Sequence, residues 1–86
     1  MNIQSKIERF IIEDLLVGGD RQSIAPNEPL ITSGVIDSLG MLRLITFLEQ
    51  DFNITIGDGD VLGSNFETVE KIAAFVQARQ PNAAAN

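Results

Sequence analysis

The chain predicts an all-α fold, a small bundle of three main helices and one short one. Three observations carry this reading. Apolar residues recur at helical spacing in three separate stretches, and glycine and proline gather between those stretches. The only strand-like run, Ile54 to Ile56, has no second strand to pair with and is expected to be an extended approach. With 86 residues, 44% of them apolar, no Trp or Tyr and five Phe, the core must be mostly aliphatic, and a deep enclosed cavity is not expected. Residues 1–80 are expected to form one domain, because the chain shows no internal repeat, low-complexity run or domain boundary.

The first helix is expected over about residues 2–17. Ile3, Ile7, Phe10, Ile11 and Leu15 fall on one stripe, Lys6, Arg9 and Glu13 face away, and Gly18-Gly19 supplies the stop. Residues 18–37 form a long link with Pro26 and Pro29, a length uncommon unless the link is functional or pinned to the body. Ile24, Leu30, Ile31, Val35 and Ile36 are the expected pins. The second helix should begin at Ser38 and run to about Asp51, with Leu42, Ile45, Leu48 and Phe52 as its inner stripe and Leu39, Met41 and Phe47 widening it. In the connection NITIGDGDVLGSN, Val61 and Leu62 anchor one short helical turn. Gly57, Gly59 and Gly63 make it the element expected to be least stable. The last helix has Phe66, Val69, Ile72, Ala73 and Val76 at helical spacing, with Asn65 or Thr68 as its cap. After Ala78 the tail has nothing to bury, and residues 81–86 are expected to be disordered.

Twelve acidic against six basic residues give a net charge of −6, which disfavours nucleic acid and anionic membrane surfaces as partners. Between Arg43 and Lys71 stand Glu49, Asp51, Asp58, Asp60, Glu67 and Glu70 with no cation among them, a stretch that would steer a basic partner surface. No segment approaches the roughly 20 apolar residues of a membrane span, and the start lacks the apolar run of a signal peptide. A cytoplasmic monomer is the expectation. With no cysteine and no histidine, disulfides and thiolate metal sites are excluded. A calcium loop counted from Asp51 would need glycine and glutamate where Ile56 and Leu62 stand, so no metal site is predicted.

The run GVIDSLGMLRL, residues 34–44, holds the one candidate for chemistry. Ser38 as a hydrolase nucleophile would need a base and oxyanion donors, and neither a histidine nor GxSxG is present. A small hydrolase is therefore disfavoured and the chain is not expected to be an enzyme. The local pattern instead makes Ser38 the N-cap of the second helix.

The same run, followed by LRLITFLEQDFNI, a short acidic loop and FETVEKIAAFV, resembles the acyl and peptidyl carrier protein family, and the likeness covers residues 3–78. The resemblance implies a four-helix carrier bundle with a long loop between helices one and two. It implies that Ser38 of Asp-Ser-Leu receives 4′-phosphopantetheine, covalently and from coenzyme A, through a separate phosphopantetheinyl transferase. The arm's thiol would then carry acyl or aminoacyl groups as thioesters. On this reading Asp37 and Leu39 flank the cofactor, and Gly40, Met41, Arg43, Val61 and Leu62 meet partners: the transferase, an acyl- or aminoacyl-loading ligase or synthetase, and a downstream transferase. A helix N-terminus suits a phosphodiester, and Asp37 would help hold Mg²⁺ during transfer. Gly40, Met41 and Arg43 depart from the acidic second helix usual in fatty-acid carriers and favour an aminoacyl, peptidyl or specialised acyl carrier. Gly40 would admit a close approach by the arm or a partner. An unmodified helical interaction module using the same surface is the alternative.

Overall fold

The computed structural model describes residues 2–16 and 22–80. Helix α1, Ile3–Phe10, starts at Asn2, whose side chain accepts the Ser5 N–H at 2.7 Å, and continues into a wider π-type turn, Ile11–Leu15. Helix α2 is Ser38–Phe52, the short α3 is Asp58–Leu62, a 3₁₀ turn covers Ser64–Phe66, and α4 is Val69–Arg79. Among the described residues there is no strand, and Ile54–Ile56 is the expected extended approach. Gly18-Gly19 and residues 81–86, the expected stop and tail, lie outside the described residues.

Helix α1 lies against α4, and the core is aliphatic. Ile7 and Ile11, Leu44 and Leu48, Ile72 and Val76 are fully buried, and Leu30 joins them from the long link. Phe10 stacks on Phe47 with centroids 4.2 Å apart, closing the α1–α2 edge. The periodicity of α1 is borne out. That of α2 needs a correction of face: Met41, Leu44, Leu48 and Phe52 are buried and Ile45 half-buried, whereas Leu42 is 62% exposed and Leu39 67%. So many apolar residues lie on this helix that two adjacent faces satisfy the spacing equally, and only packing against α1 and the link selects one.

The link is pinned as expected by Ile24, Leu30, Val35 and Ile36, but Ile31 is half-exposed and is not a pin. Backbone bonds complete the attachment to α4 and the turn before it: Leu30 N–H donates to Glu67 O at 2.8 Å and Glu70 N–H to Pro26 O at 3.0 Å. Gly34, at φ +84°, makes the turn that returns the chain to the core, a conformation favouring glycine. Of the two expected caps for α4, Thr68 is the one used, accepting the Lys71 N–H at 3.1 Å, while the Asn65 amide donates to Asp60 O.

Asp60 organises the short element. Its Oδ2 accepts the Gly57 N–H at 2.9 Å, and its Oδ1 accepts from Arg79 at 2.7 Å. Arg79 also donates to Thr55 O at 3.2 Å and lies over the Phe75 ring, so one side chain binds α3 and its approach to α4. The Gly57 amide and the Arg79 guanidinium hold the Asp60 carboxyl below its ordinary value.

Candidate functional site

Val35 and Ile36 are buried, and Ile36 N–H donates to Leu30 O at 3.0 Å. The chain therefore enters α2 from a fixed point. The next residue caps the helix: Asp37 is extended, at φ −98° and ψ −175°, and its Oδ1 accepts the Gly40 N–H at 2.7 Å. This corrects the expectation that Ser38 is the cap. Asp and Ser are both strong capping residues, and in an Asp-Ser pair sequence alone leaves a one-residue ambiguity.

The correction bears on chemistry. A capping serine would have its hydroxyl engaged with the helix, whereas Ser38 at the first helical position is exposed and its side chain makes no hydrogen bond to a described residue. Asp37 satisfies the Gly40 N–H through its side chain and the Met41 N–H through its carbonyl, leaving the Ser38 and Leu39 amides at the open end of the helix. A free hydroxyl beside outward N–H groups at the positive end of a helix suits attachment of a phosphodiester. Among the described residues no three His, Cys, Asp or Glu side chains gather to hold a metal ion.

The other predicted site residues separate into exposed and buried groups. Leu39 and Arg43 are exposed. Gly40 and Met41 are buried, Met41 with its side chain lining an open-sided groove. Val61 is half-buried, and the side chain of Leu62 lies outside the described residues. Arg43 stands five residues from Ser38, roughly 140° around the helix at about 100° per residue. It borders a shallow depression with Phe10, Thr46, Phe47 and Gln50. Lys6, Arg9, Lys71 and Arg79 each pair with a carboxylate, whereas Arg43 pairs with no described one.

One feature the periodicity did not reveal is an open-sided groove of about 550 Å³, one turn along α2 from Ser38, with Pro29, Leu30, Ile31, Met41, Val61 and Phe66 among its lining. It forms between the link, α2 and the segment ahead of α4, elements far apart in the chain. The half-exposure of Ile31 is explained by its place on this wall.

Residues 5–76 match the family described as the phosphopantetheine attachment site. The chain is 29% identical over 75 residues to a probable acyl carrier protein, PigG, of a Serratia species, covering 87% of this chain and 85% of that one. It is 34% identical over 73 residues to the D-alanyl carrier protein of Streptococcus pyogenes, with 85% and 84% covered. It is also 33% identical over 60 residues to an acyl carrier protein of Desulforapulum autotrophicum, with 70% and 77% covered.

Proposed function

This chain belongs to the family of carrier proteins that bear 4′-phosphopantetheine, and from that premise we propose that Ser38 is the residue that takes the arm. The observation that carries the assignment is the division of labour at the head of α2, where Asp37 caps and the Ser38 hydroxyl stays exposed. Transfer joins Ser38 Oγ to the phosphorus beside pantetheine in coenzyme A. The diphosphate bond on its adenosine side breaks, adenosine 3′,5′-bisphosphate leaves, and the hydroxyl proton passes to a base on the transferase. That base belongs to another protein, so the absence of histidine from this chain is no obstacle. Once attached, the group supplies the thiol on which acyl or aminoacyl cargo is held as a thioester.

Carrier proteins are in general non-catalytic, and this chain acts as a substrate passed between enzymes rather than as one of them, residues 1–80 serving as a single carrier domain. Its partners are a phosphopantetheinyl transferase, a ligase or synthetase that loads an acyl or aminoacyl group, and a transferase that removes it. Leu39 and Leu42 offer those enzymes an apolar contact on the outer face of α2, and Arg43 beside them offers a cation that pairs with no carboxylate among the described residues. A docking face with an apolar recess and a carboxylate complements this helix, whereas a basic face meets a like charge. On this proposal the chain acts in the cytoplasm; separately, within the described residues no helix is long and apolar enough to cross a membrane.

Intact mass after incubation with coenzyme A and a promiscuous phosphopantetheinyl transferase tests the assignment. The protein gains the mass of one phosphopantetheinyl group and Ser38→Ala gains none. A wild-type protein that stays unmodified would instead support the unmodified interaction module.

A further inference from the structure

Gly40 sits in the first turn of α2, where glycine is a poor helix former, and its φ is not in the left-handed region that would require it. Space supplies the reason. A Cβ at residue 40 would stand 3.1 Å from Ile36 Cγ2, 3.2 Å from Asp37 Oδ1 and 3.8 Å from Leu15 Cδ1. The first two approaches are closer than ordinary van der Waals contact between such atoms. Neither neighbour is free to retreat. Ile36 is 3% exposed and tied through its N–H to Leu30 O, and Leu30 N–H is in turn tied to Glu67 O. Asp37 Oδ1 is held at 2.7 Å by the N–H of Gly40 itself. Any side chain at position 40 must therefore shift the Ile36-Asp37 segment or the first turn of the helix, and Ser38 is the first residue of that turn, next to Asp37.

We infer that Gly40 is a positioning residue for the modification of Ser38: its missing side chain lets Ile36 and Asp37 close over the first turn of α2, and that closure aims the Ser38 hydroxyl outward. The inference rests on Ser38 as the attachment site. It also corrects the expectation that Gly40 admits the arm or a partner, because the space beside it is filled by the protein's own Ile36, Asp37 and Leu15.

Steady-state modification by coenzyme A and a promiscuous phosphopantetheinyl transferase, with the carrier as the varied substrate, tests it in four proteins: wild type, Gly40→Ala, Ile36→Leu, which removes Cγ2, and the double variant. Hydrogen exchange at the residue 40 amide is followed alongside. Gly40→Ala lowers kcat by about tenfold with KM changed less than about twofold, because a misplaced nucleophile costs rate more than binding. Its residue 40 amide exchanges at least about tenfold faster, reporting the disturbed cap. The double variant recovers most of kcat relative to Gly40→Ala. A Gly40→Ala protein modified at the wild-type rate overturns the inference. So does a loss confined to KM, a loss that follows a fall in melting temperature, or a loss that Ile36→Leu does not relieve. Failure of the underlying assignment has a different signature: Ser38→Ala would still be modified, or the wild-type protein would not be, and the inference would fall with it.

Discussion

At the residue scale, the head of α2 divides two tasks between neighbours. Asp37 holds the helix end through the Gly40 N–H, and Ser38 keeps its hydroxyl exposed. Replacement of the capping side chain, Asp37→Ala, is expected to cost about 1 kcal/mol of stability. Ser38→Ala should stay within about 0.5 kcal/mol, as for a surface position outside a cap. Denaturant titration of the two variants checks the order, and equal losses would return the cap to Ser38. How much of this was legible is clear from the residue types. Asp-Ser-Leu marks the position in sequence, but which of the first two caps depends on the extended backbone of Asp37, set by the anchoring of Ile36 to Leu30. The space around Gly40 depends equally on residues from α1 and the link, and nothing local announces it.

At the element scale, clean and crowded patterns behave differently. Helix α1 carries one apolar stripe against a polar back, and its buried Ile7 and Ile11 stand where the spacing puts them. Helix α2 is apolar on more than one side, so the spacing permits an inner stripe through Leu42 that the bundle does not use. Leu44→Ala and Leu48→Ala are each expected to cost about 2 to 5 kcal/mol, since both side chains are fully buried. Leu42→Ala should change stability by less than about 0.5 kcal/mol. Chemical denaturation distinguishes the two faces, and a Leu42 loss comparable with that of Leu48 would contradict the packing. The short α3 depends on a charge partner rather than on burial. Above the ordinary aspartate pKa the Asp60 carboxylate contributes its full stabilisation, and that contribution is lost as the pH falls through its lowered folded value. Arg79→Met should therefore speed amide exchange in residues 57–63 and weaken the acid dependence of that exchange. The pairing joins residues 19 apart, a separation at which composition says nothing about contact.

For the whole molecule, a net charge of −6 coexists with an α2 outer face whose one cation is unpaired among the described residues. Arg43→Glu is expected to slow loading by the cognate enzyme and to improve recognition by enzymes with basic docking faces. The effect should lie mainly in association rate and fade with added salt, as for a charge at the rim of an interface. Loading kinetics at two salt concentrations measure it, and unchanged rates with both classes would make Arg43 ordinary surface. The family was legible over residues 3–78 because one short motif stands in the right order of helices, loop and turn. The groove beside Ser38 was not, since its walls come from the link, α2 and the turn before α4. On the proposed function, this bundle presents a covalent arm from one hydroxyl. Fragmentation mass spectrometry of the protein after transfer from coenzyme A measures this: a single phosphopantetheinyl group on Ser38 is expected, and a group found on Ser33 or any other hydroxyl, or none at all, would overturn the assignment.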